Sequence, residues 1–140
     1  MFKYLFGGIK NEKGQAIVET ALVLPLLLLL LCGIIEIGWV SYNKLTLSYC
    51  SREGARYGIV HAADADVVQQ VIDRVFEVTP ESMREEIEVT VNFSNVNSPR
   101  LGSITVEVDA MVKGLTPIIG SIFSGGEGVS LSAQCVMKVE

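Results

Sequence analysis

Apolar and polar positions divide this chain into three patterns. Residues 16–40 are apolar almost without interruption, a run of 25 residues. As a helix that run spans roughly 37 Å, enough to cross a bilayer with some tilt. From residue 41 the pattern becomes helical and one-sided. Leu47, Cys50, Gly54 and Tyr57 fall on one side, and Leu45, Tyr49, Arg52 and Arg56 on another. No proline interrupts 41–60, so one helix is predicted from Gln15 to Val60. Gly54 and Gly58 each weaken an isolated helix by about 1 kcal/mol relative to Ala. Their four-residue spacing marks a face where another backbone packs closely. A second helix is predicted from Ala65 to Val78, with Asp64 as N-cap, an apolar stripe of Val67, Val68, Val71, Ile72, Val75 and Phe76, and Pro80 beyond its end.

The last third changes period from 3.6 to 2. Ile87, Val89, Val91 and Phe93 alternate with Glu88, Thr90 and Asn92. Ile104, Val106 and Val108 alternate with Thr105, Glu107 and Asp109. The Ser- and Asn-rich residues 94–100 between them predict an antiparallel hairpin with one wet face. Residues 115–123 predict a short apolar helix with Pro117 near its start, Gly125–Gly128 a loop, and Val129–Val139 a final strand. The expected fold class is α+β: a long N-terminal transmembrane helix, then a small domain with one further helix and an antiparallel sheet of about three strands. The expected divisions are a leader over 1–14, the long helix over 15–60 with its membrane span at about 16–40, and an extracytoplasmic domain over 61–140.

Charge sets the orientation. The net charge is −5, yet residues 1–14 carry Lys3, Lys10 and Lys13 against Glu12, a net of +2. The rest of the chain therefore carries −7. A cationic leader before an apolar span keeps that end cytoplasmic, which gives an N-in, C-out topology. The acidic exterior makes nucleic acid an unsuitable partner. Trp39 and Tyr42 sit where amphipathic rings favour the headgroup layer. Pro25 lies inside the span and removes one hydrogen bond, so a kink or local melting is expected there. Glu36 is expected in the interfacial layer, solvated.

Catalytic and metal chemistry find no support. His61 is the only histidine, and no CxxC, GxxxxGK or GxSxG is present. The expectation is no enzyme activity, no metal and no cofactor. Cys32 reads as a small residue of the span. Cys50 and Cys135 both fall in the exterior part, where a disulfide is permitted; a bridge and two buried free thiols both remain open.

The apolar run admits three processing readings. A secretory signal needs a small-x-small cleavage site after it, but Glu36 and Trp39 follow. A lipoprotein signal needs a small residue before the cysteine, but Leu31 precedes Cys32. The third reading cuts after Gly14 and leaves the apolar helix on the mature protein. Gly14-Gln15-Ala16-Ile17-Val18-Glu19 fits it: a basic leader, Gly, four residues, Glu, then an apolar helix. A carboxylate so placed is costly in a bilayer, roughly 2.5–3.5 kcal/mol at its centre, and asks for a partner.

The chain resembles the TadE-like pseudopilins of the tight-adherence (Flp-type, type IVb) pilus system. The resemblance rests on Gly14 through Pro25, on Ser51-Arg52-Glu53-Gly54-Ala55-Arg56-Tyr57, and more weakly on the tail Ala133–Glu140. Major Flp pilins are shorter and typically carry Glu-Tyr at the signal. Glu19-Thr20 and the sizeable exterior domain favour a minor subunit. The resemblance implies Gly14 and Gln15 as the processing site of a prepilin peptidase. It implies Glu19 as an assembly and register residue, whose carboxylate meets a neighbouring subunit's new ammonium. It also implies Arg52, Glu53, Gly54, Ala55 and Arg56 as a family motif. The two arginines grip acidic or carbonyl groups of this domain or a partner, or else form a solvated ion-paired surface. The expected partners are the membrane, the peptidase, other pilins or pseudopilins, and the Tad assembly machinery. The expected location is the bacterial cytoplasmic membrane, with the C-terminal domain outside and with incorporation into the pilus left open. The competing reading is an unprocessed, single-pass anchored binding domain.

Overall fold

A computed structural model describes residues 12–95, 102–116 and 128–139. The element order is α1 (Glu12–Val60), α2 (Val67–Val78), a 3-10 turn at Glu81–Met83, then β1 (Ile87–Phe93), β2 (Ser103–Val112) and β3 (Val129–Lys138). The layout is α+β, as the periodicities predict. The chain forms two compact units, Met1–Ile35 and Glu36–Glu140, with the division inside α1.

In the first unit α1 is exposed and apolar on all sides, from Ala21 to Leu31. A helix with no polar face has no water-facing side, and this one is long and apolar enough to cross a membrane. It runs unbroken through Pro25, so local melting does not occur there. It is already helical at Glu12, ahead of the expected Gln15, and so includes Gly14 and Gln15.

In the second unit the same helix becomes one-sided. Asn43, Leu47, Cys50, Ser51, Gly54, Ala55 and Gly58 are buried and Leu45, Tyr49, Arg52 and Arg56 are exposed. This unit's core packs α1 and α2 against one face of a three-stranded antiparallel sheet of order β1-β2-β3. The hairpin register pairs Val89 with Val108, Val91 with Val106 and Phe93 with Ile104. On the other side Val106 pairs with Cys135 and Val108 with Ala133. The central strand supplies the floor: Ile104, Val106, Val108, Ala110 and Val112 are all buried. Outward residues Glu88, Thr90 and Asn92 are exposed, as alternation requires.

The second helix differs from the reading of its start. His61–Asp66 form turns, with the Asp64 amide bonded to the His61 carbonyl (2.9 Å), so Asp64 is inside the connection. Asp66 occupies the N-cap and its side chain caps nothing. Val67, Val71 and Val75 are buried, whereas Val68 faces outward. Three residues at i, i+4 and i+8 are sufficient for a helix lying over a neighbour. At the other end Thr79 caps α2: its amide and Oγ1 both bond to the Val75 carbonyl, at 3.0 and 2.7 Å. Pro80 then closes the helix as expected. Leu115 and Thr116 are not helical. The rest of the expected short helix, and the Gly125–Gly128 loop up to Gly128, lie outside the described residues.

Gly54 and Gly58 mark the closest approach. A Cβ on Gly54 would meet Val75 Cγ2 at 2.5 Å; one on Gly58 would collide with Ile104 Cδ1 and lie 3.0 Å from Val71 Cγ2. The neighbours are side chains of α2 and β2, not a backbone. At Gly38 a Cβ would meet nothing within 4 Å. Overpacking costs about 1–3 kcal/mol, more than the roughly 1 kcal/mol that Ala gains over Gly in a helix. Gly54→Ala and Gly58→Ala are therefore expected to lower the melting temperature of the detergent-solubilised protein, and Gly38→Ala to raise it slightly. A Gly58→Ala protein that melts at or above wild type would show that Ile104 gives way freely.

Candidate functional site

The expected site residues are spread along α1. In the first unit, Gln15 Nε2 donates to Glu19 Oε1 at 3.2 Å, one turn away on the exposed surface. The Gly14–Gln15 bond lies within α1.

In the second unit the Arg52–Arg56 block folds into three different environments. Gly54 and Ala55 are buried against α2 and the sheet. Glu53, with 16% of its side chain exposed, bonds to Arg74 of α2 at 3.1 Å and to Arg56 at 3.3 Å. Arg74 also holds Glu77, at 2.7 Å. Hydrogen bonds from Arg74 first, then Arg56, keep the Glu53 carboxyl below its ordinary range. The gripping group is thus the acid between the arginines, and it ties α1 to α2. Arg52 is exposed and makes no hydrogen bond or ion pair among the described residues. Arg56 reaches only Glu53, and 74% of its side chain is exposed.

Cys50 and Cys135 are free thiols, Cys50 buried and Cys135 half-buried against the same core. Cys50 Sγ accepts from Thr79 Oγ1 at 3.5 Å. Cys32 is also free. His61 stacks on Tyr57, with ring centroids 4.0 Å apart, and its Nδ1 lies 3.1 Å from the Tyr57 carbonyl at the end of α1. A carbonyl only accepts, so Nδ1 carries the proton, and the residue caps a helix end.

Sequence reasoning missed Glu36. It is not solvated: it is 8% exposed. Its Oε1 accepts the Leu115 amide at 3.0 Å, and its Oε2 accepts the Thr116 amide at 2.9 Å and the Thr116 hydroxyl at 2.8 Å. Three donors from one short segment replace the lost hydration, which an unpaired buried carboxylate could not survive. Trp39 reinforces the clasp by donating from Nε1 to the Lys113 carbonyl at 3.2 Å. Lys113 in turn pairs with Glu86 at 2.8 Å. Trp39 is thus half-buried against the core of the domain. The signal in the sequence was the acid itself, set between Ile35 and Ile37. Its donors, 79 and 80 residues away, left no mark.

Two measurements probe these contacts. Removing one partner of a charge-assisted bond exposes the other, at about 1–3 kcal/mol. Glu36→Ala should accordingly speed hydrogen exchange at the Leu115 and Thr116 amides while amides in the centre of β2 keep their protection; unchanged rates would show that the clasp does not hold the segment. Glu53, whose folded carboxyl titrates low, contributes stability that is present above the ordinary carboxylate range and is lost as pH falls through it. Between about pH 6 and about pH 3, Glu53→Gln should show a smaller drop in melting temperature than wild type. Equal drops would mean that the Arg74 pairing contributes nothing.

Residues 14–56 match the family model of the TadE-like proteins. No curated protein and no solved structure matches the chain. The matched stretch holds Gly14–Glu19, the proline-containing apolar span and the Arg52–Arg56 block, all on one helix. The similarity to TadE-like proteins thus covers the first part of the chain, residues 14–56.

Proposed function

We propose that the protein is a non-enzymatic minor pilin or pseudopilin that takes part in the priming, capping or biogenesis of a Tad-type adhesion pilus. The observation that carries this reading is the TadE-like match lying on a single helix that changes character along its length. Its first part is apolar on all sides and its second part is the spine of a folded domain. A subunit built so keeps its anchor after leader removal and presents the domain outside the membrane. The basic leader supports the N-in, C-out orientation, and Gly14 with Gln15 supplies a cleavage position for a prepilin peptidase.

Glu19 then becomes the fifth residue of the mature chain. In the uncleaved helix its carboxylate is engaged by the Gln15 amide. Cleavage places an ammonium on Gln15. In a low-dielectric bundle an ammonium and a carboxylate are costly apart and compatible when paired, so a neighbour's Glu19 sets axial register.

The reading is tested by amino-terminal sequencing of the membrane-fraction protein. Gln15 as the first residue supports it; an intact Met1 supports an unprocessed anchored binding domain. Glu19→Ala separates register from anchoring. It removes a charge from the apolar helix, so membrane abundance should be normal or higher. Co-purification with other pilins should fall sharply, and Glu19→Asp should be intermediate. Normal assembly of Glu19→Ala at normal abundance would exclude the register role.

A further inference from the structure

One face of α1 in the second unit remains bare. Gly38, Tyr42, Leu45, Tyr49, Arg52 and Arg56 follow one another at alternating steps of four and three, the heptad spacing of a left-handed helix–helix seam. All six are exposed, and the large apolar members are strongly so: Tyr42 56%, Leu45 71% and Tyr49 59%. The core-facing residues of the same helix lie about 180° away, so a partner on the stripe would not compete with the domain. Other exposed large hydrophobics of the domain, such as Val68, Met111 and Val136, are single residues on α2, β2 and β3. Isolated exposed hydrophobics are ordinary; an ordered apolar row on one helix is a contact surface.

The chemistry of the row identifies its occupant. Gly38 permits close approach, and Tyr42, held in a stack with Trp39 at 6.1 Å, presents a fixed ring. Tyrosine supplies large contact area with little conformational loss. The last two positions are Arg52, unpaired among the described residues, and Arg56, bound only to Glu53 within its own helix. A second copy lying parallel and in register would set Arg52 against Arg52 and Arg56 against Arg56, an unfavourable meeting of like charges. The complement is a helix that carries carboxylates at that height.

We propose that this stripe is a docking seam for a parallel helix of a different membrane-anchored chain, apolar opposite Tyr42–Tyr49 and acidic opposite Arg52 and Arg56. The proposal deepens the pilus-assembly reading, from which it takes the parallel orientation of the partner.

The test places p-benzoylphenylalanine at Tyr49 of the full chain in native membranes, with Val68 as the control position, and identifies crosslinked peptides by mass spectrometry. The expected product is a peptide of another chain with heptad apolar residues and Asp or Glu beside the crosslink. Arg52→Glu with Arg56→Glu should lower its yield about ten-fold through the loss and reversal of the seam's charge pairs, while Arg52→Lys with Arg56→Lys should retain most of it. Crosslinking only to lipid, only to a second copy, or equally at Val68 would overturn the proposal. So would a yield unaffected by charge reversal at unchanged melting temperature. The two readings fail separately. Gln15 at the amino terminus with no crosslink at Tyr49 rejects the seam alone; an intact Met1 with the acidic-helix crosslink rejects the pilin processing alone.

Discussion

The domain depends on how closely α1 can approach its neighbours at Gly54 and Gly58. The absence of a side chain at these two positions lets Val71 and Val75 of α2 and Ile104 of β2 pack directly onto the helix. Dispersion falls away steeply with separation, so a few tenths of an ångström at this contact are felt across the core. The glycines weaken α1 as an isolated helix, and the packing they permit offsets that loss. The Glu53–Arg74 pair then ties α1 to α2 at the margin of the same contact. The Arg52–Arg56 block is therefore mainly a packing device toward its own domain, with Arg52 left over among the described residues.

Arg52 matters because the charges of the neighbouring ion pairs are committed to one another. Glu53 holds Arg74 and Arg56, Arg74 holds Glu77, and Lys113 holds Glu86. Exposed ion pairs contribute little to stability. Their arrangement instead governs which surfaces stay free, and it leaves Arg52 without a partner among the described residues, beside a row of tyrosine and leucine.

Glu36 shows a second use of buried charge. A carboxylate within an apolar stretch is unfavourable until donors reach it, and here the donors come from the segment after β2. The clasp fixes where that segment leaves the sheet. Trp39 and Glu36 act from adjacent turns of α1, so one stretch of helix anchors the segment from Lys113 to Thr116.

The local periodicities alone determined much of this protein. A 25-residue apolar run, a 3.6-period stripe and two alternating segments specify a long helix, a second helix and an antiparallel hairpin, because burial on one face imposes the period of the element. The Gly14–Glu19 spacing and the Arg52–Arg56 block were legible for the same reason: they are short and contiguous. The tertiary structure decided whatever depended on distant partners. It made Glu36 a clasp and turned Trp39 inward. It moved the start of α2 past Asp64, since two short turns first had to bring Val67 over the sheet. It made Glu53 the tie between α1 and α2. Side chains that look alike along a helix are separated only by what the remaining chain brings against them, and sequence spacing carries no record of a contact made some eighty residues away.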